Sequence, residues 1–229
     1  MWVSHLDLIL MVLNDRQIER YSRQIIVPRL GGAAQERLLA SRIILAGDIA
    51  DLELPLAYLV GAGVGTIVLQ TTDANSGSVA IAKRDALIAR SHELNPEVVV
   101  SADGGLQSAA TVLAMIGSEA ARAAAERLSA VHPHAAFVVA RLDAPAKVAI
   151  LPAPPPCPRC ADDGAMLAPV TSRDSIAEFV AMVATAEAFK LLAGYAAEPA
   201  PVIIEFDGYQ SRSHPAQARR GCACSWRES

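Results

Sequence analysis

The segment RIILAGDIADL, residues 42–52, decides how the rest of the chain folds. Its first half, Arg42–Ala46, is a short apolar run typical of a buried strand. An apolar helix is expected to follow over about residues 51–62 and to end at Gly61 or Gly63. Further strands are expected at residues 66–70, 97–100, 136–140, 147–151 and 202–206, and further helices at about residues 14–24, 32–41, 80–94, 117–131 and 173–193. Because strands and helices alternate, the sequence predicts an α/β, doubly wound, Rossmann-like fold with a mostly parallel sheet and helices on both faces.

The composition favours a globular protein with one substantial core. Hydrophobic residues make up 52% of the 229 residues, charged residues make up 19%, and the formal net charge is −4. This chain is too apolar to be disordered, and its acidic balance argues against a protein built to bind nucleic acid or anionic lipid. We expect residues 15–229 to form a single domain, in which the Pro-rich stretch at residues 152–158 is a crossover.

An apolar run, Leu6–Leu13, lies close to the N-terminus. No basic residue precedes this run, Asp7 interrupts it and no small-residue cleavage site follows, so it does not resemble a signal peptide. The run is too short to span a bilayer, and no run of 18 apolar residues occurs later. We therefore expect residues 1–14 to form an apolar helix that packs on the protein or on a partner, in a cytoplasmic protein without membrane contact.

Three groups of motifs, taken in order, resemble those of a known family. The first is ERYSRQII at residues 19–26, followed by QERL at 35–38 and the strand from Arg42. The second is AGVGTI at residues 62–67. The third combines CPRC at 157–160, ATAEAFKLLAG at 184–194, VIIEFDG at 202–208 and a terminal cysteine pair. In this order they resemble the ThiF/MoeB/HesA family, the bacterial relatives of ubiquitin-activating enzymes, over about residues 15–225.

The resemblance implies an activity, cofactors and partners. Active members of the family bind ATP and Mg and transfer AMP to the C-terminal carboxylate of a ubiquitin-like or sulfur-carrier protein. Their Gly-rich turn lets backbone N–H groups and a helix N-terminus hold the phosphates. The resemblance therefore implies a homodimer, or a heterodimer with an active homologue, that acts on a ubiquitin-like protein, a sulfur carrier or a peptide.

The phosphate-binding loop departs from the family pattern. Where the family has G-x-G-G-x-G, this chain has GDIADL at residues 47–52, so that only Gly47 is kept. Ile49 and Leu52 place side chains where the backbone must approach a phosphate closely. Asp48 and Asp51 place negative charge at the helix N-terminus, where a carboxylate can cap the helix itself. The resemblance is therefore to a degenerate member, like the inactive adenylation half of larger activating enzymes, and ATP and Mg are disfavoured.

Other positions of the nucleotide site are kept in part. By resemblance, Asp73 and Lys83 are cofactor-binding residues, and Lys83 and Arg122 are also catalytic candidates. The loop that carries an arginine between Asp73 and Lys83 is mostly deleted, and the family's metal-binding Asp is missing from residues 117–122. The alternative role for Lys83 is a solvated helix lysine.

Arg23 matches the arginine that, in this family, reaches across a dimer into the neighbouring ATP site. It would act in trans even if this chain's own site were inactive. The alternative is a surface arginine of the helix that pairs with Glu19, four residues earlier.

The four cysteines form two closely spaced pairs, Cys157 with Cys160 and Cys222 with Cys224. Family members often hold a structural zinc with two C-x-x-C pairs, and zinc prefers four tetrahedral ligands. We therefore expect a structural zinc site, although the second pair here is C-x-C. The alternative is two free or oxidisable pairs. If all four bind zinc, no cysteine remains as a nucleophile for thioester transfer.

Two functions from the family remain open. The first is a pseudoenzyme, a non-catalytic partner or scaffold in the activation of a ubiquitin-like protein, sulfur carrier or peptide. The alternative is an active ATP-dependent adenylyltransferase. A dinucleotide-dependent oxidoreductase is disfavoured because it needs G-x-G-x-x-G after the first strand, which this chain lacks.

Overall fold

The structure is a computed structural model that describes residues 13–28, 30–72, 78–102, 111–195 and 199–224. The helix expected over residues 1–14 lies almost entirely outside the described residues, as does Asp73. Within the described residues, no helix has the length and apolarity needed to cross a membrane.

Eight strands of the described chain form one sheet. They are β1 (Arg42–Gly47), β2 (Thr66–Thr71), β3 (Val99–Ser101), β4 (Thr111–Ile116), β5 (Ala136–Arg141), β6 (Lys147–Leu151), β7 (Val202–Asp207) and β8 (Gln210–Pro215). Their order across the sheet is β3-β2-β1-β4-β5-β6-β7-β8. The strands from β3 to β5 are parallel, and each later strand runs antiparallel to the one before it. The expected mostly parallel sheet is therefore confirmed.

Helices lie on both faces of this sheet. The α-helices of the described chain are α1 (Asp15–Ile25), α2 (Gly31–Ala40), α3 (Ile49–Ala62), α4 (Ser78–Leu94), α5 (Glu119–Val131) and α6 (Ala177–Ala193), and a 3-10 helix spans Ala161–Leu167. Buried residues of α2, α3 and α6 form the apolar core on one face. Buried residues of α5 and of the 3-10 helix form the core on the other face.

Local chemistry accounts for several helix ends. The Asn14 side chain accepts from the backbone N–H of Gln17, and the Gln17 side chain accepts from the N–H of Asn14, which fixes the start of α1. Helix α3 ends at Gly63, one of the two predicted stops, where φ is 84°. A Cβ at Gly63 would lie 2.7 Å from the Tyr21 ring, so glycine is needed for both backbone angle and space.

Two strands were not among the predicted elements. Strand β4, TVLAMI, is wholly buried and lies at the centre of the sheet between β1 and β5. A short apolar run of this kind is buried on both faces, so no alternation marks it. Strand β8, QSRSHP, is mostly exposed and pairs only with β7 in the described sheet, so it has no apolar pattern at all.

Helix α6 begins at Ala177, four residues later than expected. Residues 173 and 174 instead bond to the chain directly after β5. The backbone N–H of Asp174 donates to the carbonyl of Leu142, at 2.8 Å, and Arg173 forms a β-bridge with Asp143. These bonds hold residues 173 and 174 extended, and residues 175 and 176 form a turn before the helix.

Candidate functional site

The carboxyl ends of β1 and β4 lie side by side, and α3 starts directly after β1. This is the edge at which doubly wound sheets bind ligands. Gly47 closes β1 at this edge, where a Cβ would lie 2.8 Å from the Met115 carbonyl oxygen and 3.1 Å from Leu52 Cδ2. The packing of β1 against β4 therefore requires Gly47, whether or not a phosphate binds there.

Asp48 is the N-cap residue of α3, but its carboxylate does not bond to the helix. It accepts instead from the Thr72 hydroxyl, at 2.7 Å. The sequence-based expectation that a carboxylate caps α3 is thus not met by Asp48, whose side chain ties the start of α3 to the end of β2.

Asp51, the third residue of α3, fills the space at the helix N-terminus. Its side chain is only 4% exposed, and its Oδ1 lies 2.6 Å from Nη1 of Arg173. A Cβ at Gly117, directly after β4, would lie 2.6 Å from Asp51 Oδ2. The carboxylate therefore stands between the α3 N-terminus and residue 117, the region in which the resemblance would place phosphate and metal.

Arg173 was missed by the sequence analysis. Its side chain is 45% exposed and belongs to the connection that leads from the CPRC motif into α6. No fixed spacing from a motif signals its role, because only the folded connection brings it to Asp51, 122 residues earlier.

Lys83 is exposed on α4 and lies near the N-terminus of α3. Together with Ile49, Ala50 and Glu53 it lines a cleft of about 320 Å³ between α3 and α4. No hydrogen bond or ion pair joins Lys83 to the described residues. Lys83 is exposed to solvent and lies beside the first residues of α3. By resemblance, this lysine would contact a phosphate.

Arg122 is held within α5 by two carboxylates. Its guanidinium lies 2.7 Å from Glu119 and 3.2 Å from Glu126. The hydrogen bond from Arg122, together with a second from the backbone N–H of Val170, lowers the pKa of the Glu119 carboxyl. Arg122 thus already has two anionic partners on its own helix.

Arg23 is exposed in the last turn of α1. The described residues include both Arg23 and Glu19, and no ion pair joins them. The pairing considered as an alternative role for Arg23 is therefore absent, and its guanidinium faces solvent.

The four cysteines converge at the other end of the sheet. Strands β6 and β8 run in the same direction, opposite to β5, so they end at the edge where the parallel strands begin. The CPRC motif follows β6, and the C-x-C pair follows β8. The antiparallel hairpin of β7 and β8 thus carries the C-terminal pair back to the first pair.

The cysteine sulfurs have the spacing of a metal centre. All four Sγ atoms lie within 4.8 Å of one another. Cys157 Sγ lies 3.7 Å from those of Cys160 and Cys222, and Cys224 Sγ lies 3.3 Å from Cys160 and 3.5 Å from Cys222. Tetrahedral zinc with Zn–S bonds of 2.3 Å requires sulfurs about 3.8 Å apart. The four side chains could therefore hold a metal such as zinc, and the C-x-C pair completes the set.

The protein backbone and burial support the same centre. The N–H of Cys157 donates to Cys160 Sγ at 3.3 Å, and the N–H groups of Cys160 and Ala161 donate to the Cys157 carbonyl. Burial raises the pKa of the Cys157 and Cys224 thiols, so a bound cation would be needed to keep both as thiolates.

No family model matches the chain. Parts of it are similar to named proteins. A stretch of 62 residues, 27% of this chain, is 45% identical to the sulfur carrier protein ThiS adenylyltransferase of Escherichia coli. A stretch of 97 residues, 37% of this chain, is 38% identical to the adenylyltransferase and sulfurtransferase uba4 of Aspergillus terreus. The expected resemblance to the ThiF/MoeB/HesA family is confirmed.

The match of this ThiF/MoeB-like chain to those relatives is partial. It spans 24% of the Escherichia coli protein and 20% of the Aspergillus terreus protein. Solved structures extend the likeness of the fold to nearly the whole chain. MccB of Escherichia coli, solved with ATP, superposes with a TM-score of 0.65 over 92% of this chain and 75% of MccB, at 14% identity. PaaA superposes with a TM-score of 0.60 over 94% of this chain and 78% of PaaA, at 16% identity.

Proposed function

We propose that this ThiF/MoeB-like chain is a pseudoenzyme with a degenerate ATP site. In this proposal it is a non-catalytic partner or scaffold in the activation of a ubiquitin-like protein, a sulfur carrier or a peptide. The named relatives support this range of partners, because they include an adenylyltransferase of the sulfur carrier protein ThiS and MccB solved with MccA.

The ion pair between Asp51 and Arg173 carries the proposal. A phosphate at the N-terminus of α3 would have to lie beside the buried Asp51 carboxylate. Two unit negative charges about 4 Å apart repel by about 4 kcal/mol at an effective dielectric constant of about 20. Arg173 is already bonded to that carboxylate. The chain thus supplies its own anion at the helix end that would otherwise attract a nucleotide.

The proposed partner role uses Arg23 and the four cysteines. Arg23 is exposed and unpaired within the described chain, so it is available to a second subunit, either a copy of this chain or an active homologue. Zinc held by Cys157, Cys160, Cys222 and Cys224 would be structural, because all four ligand positions are filled by protein. We place this complex in the cytoplasm, where free thiols are kept reduced.

One observation favours the alternative, an active adenylyltransferase. Lys83 lies in the cleft beside Ile49 and Ala50, close to the N-terminus of α3, and is not neutralised by another described residue. A nucleotide that displaced Arg173 from Asp51 would find this cation at the edge of the site.

A nucleotide-binding experiment separates the two. The purified chain is titrated with Mg-ATP by calorimetry and assayed for ATP–pyrophosphate exchange, alone and with candidate ubiquitin-like proteins. The ThiS adenylyltransferase of Escherichia coli, with its carrier protein, is the positive control. We expect neither binding nor exchange from this chain. Micromolar binding together with exchange by the lone chain would refute the pseudoenzyme proposal.

A further inference from the structure

One stretch of chain connects the two ends of the sheet that the preceding sections describe separately. It leaves Cys160 through the 3-10 helix Ala161–Leu167 and reaches Asp51 through Arg173. Ala161 and Met166 are fully buried in the core beneath α5, and Val170 packs against the same core. Residues 161–174, here named the strap, therefore lie along the α5 face from the cysteine centre to the carboxyl edge.

The second half of the strap is bound to the end of β5. Arg141, which is 9% exposed, donates to the carbonyl oxygens of Ala165 and Ala168 and pairs with Asp143. Asp143 is buried and accepts from the backbone N–H of Thr171, at 3.1 Å. The Arg141–Asp143 ion pair thus supplies hydrogen-bond partners to strap carbonyl groups before residue 169 and to a strap N–H group after it.

Further bonds reach the strap from both sides of the edge. The N–H of Val170 donates to Glu119 of α5 at 2.6 Å, and the carbonyl of Ser172 accepts from the N–H of Ala144 at 2.9 Å. Most of these bonds join strap backbone to side chains of neighbouring elements, and Glu119 is more than half exposed. Bonds of this kind open locally without unfolding a core.

The first half of the strap is held in a strained turn. Asp162 and Asp163 both have φ of 51°, a left-handed conformation that non-glycine residues rarely adopt, and Gly164 follows with φ of 89°. Lys147 holds this turn by a hydrogen bond to Asp162 Oδ2, at 3.0 Å. Cys160, directly before the turn, is wholly buried among the other cysteines. The cysteine centre is thus the anchor from which the strained turn starts.

We propose that the strap is a closure over the carboxyl edge, anchored at one end by metal at the four cysteines and at the other by the Arg173–Asp51 pair. This inference rests on the proposed function, because it identifies the contacts that keep the degenerate nucleotide site closed. Without metal, the bonds from four cysteines to one cation are lost, and the C-terminal pair meets the CPRC turn through contacts such as that between the Cys157 and Cys222 sulfurs, at 3.7 Å. Without Arg173 or Asp51, the far end loses its ion pair. Loss of either anchor releases residues 168–174 while the sheet and the core beneath α5 remain folded.

Hydrogen exchange of the full chain tests this closure. Zinc-loaded protein is compared with protein stripped by a chelator, with bound zinc counted in both. We expect the amides of residues 168–174 to exchange at least about tenfold faster after stripping, whereas those of α4 on the other face keep their rates within about twofold. Faster exchange spread evenly over the whole chain would make the centre a general folding staple and would overturn the proposal.

Variants of zinc-loaded protein test the far anchor separately. Asp51→Asn and Arg173→Gln are each expected to speed exchange of residues 168–174 by about tenfold while zinc is retained. Glu53→Gln is the matched control. Glu53 lies on the same helix as Asp51, and the substitution removes its exposed ion pair with Arg90 of α4. Unchanged strap exchange in both anchor variants contradicts the proposal. The ATP experiment above does not measure strap motion, so either proposal can fail while the other stands.

Discussion

Nη1 of Arg173 lies 2.6 Å from Oδ1 of Asp51, and the two partners differ sharply in exposure. The Asp51 side chain is 4% exposed, whereas that of Arg173 is 45% exposed. An arginine that loses its partner here can be hydrated, but a buried carboxylate cannot. The desolvation penalty of this ion pair therefore comes from burial of the Asp51 carboxylate alone.

This asymmetry predicts unequal effects of breaking the pair. Arg173→Gln removes the guanidinium that pairs with a buried carboxylate and is expected to lower the free energy of unfolding by about 2–3 kcal/mol, whereas Asp51→Asn is expected to lower it by about 1 kcal/mol. Urea unfolding of both variants measures the difference, with Glu53→Gln as an exposed-pair control expected to change it by less than about 0.5 kcal/mol. Equal losses for Arg173→Gln and Asp51→Asn would show that burial of the carboxylate is not what matters.

The cysteine geometry predicts one zinc per chain. Cys160→Ser or Cys222→Ser removes one of four ligands and is expected to reduce zinc below about 0.1 per chain under a competing chelator and to lower Tm by several degrees. Arg219→Gln is the control, because Arg219 lines the same surface pocket but offers no ligand. Metal analysis by mass spectrometry is the measurement. A wild-type chain with clearly less than one zinc would contradict the assignment.

Sequence patterns predicted the elements whose chemistry is local. The strand from Arg42 and the helix ending at Gly63 were both predicted, because an apolar run and a glycine stop are visible in any context. The two cysteine pairs were also predicted to come together. Only the structure shows that the sulfurs of the C-x-C pair lie 3.5 Å apart, a spacing suited to binding one metal ion.

What the sequence left out depends on contacts between distant parts of the chain. Strand β4 was missed because its partners on either side, β1 and β5, define it more than its own six residues do. Arg173 was missed because an arginine in a connection has no pattern, and its role comes from Asp51 across the fold. Asp48 was placed correctly at the start of α3, but its bond to Thr72 depends on the neighbouring strand.

Arg23 yields a prediction about assembly. If this chain lends Arg23 to a partner, Arg23→Ala should leave its own stability within about 0.5 kcal/mol, because the side chain is exposed and unpaired in the described chain. It should lower ATP–pyrophosphate exchange by a mixture with an active homologue from the same genome by about tenfold or more. Arg16→Ala, on the same helix, is the control. No binding between the two wild-type chains, or equal effects of the two variants, would count against a role in trans.

His132 yields a prediction about pH. Its side chain is buried at the end of α5 with no hydrogen-bond partner for Nε2, and burial, reinforced by the charge of Arg42, lowers its pKa. Because the folded chain then binds this proton less readily than the unfolded chain, protonation favours unfolding. The stability associated with His132 is fully present above the unfolded pKa of about 6.5 and is lost as the pH falls from there through the folded pKa.

Replacing His132 should remove this part of the pH dependence. His132→Leu, which keeps a similar volume, is expected to narrow the difference between urea midpoints measured at about pH 7.5 and about pH 5.5. His92→Leu, at an exposed position on α4, serves as the control for removing a surface histidine, and His132→Leu is expected to narrow the difference more than this control does. The Lys147–Glu205 pair does not interfere, because the hydrogen bond from Lys147 lowers the pKa of Glu205 and moves its titration to more acidic pH. A His132→Leu chain whose midpoint falls with pH as steeply as that of the wild type would refute the assignment.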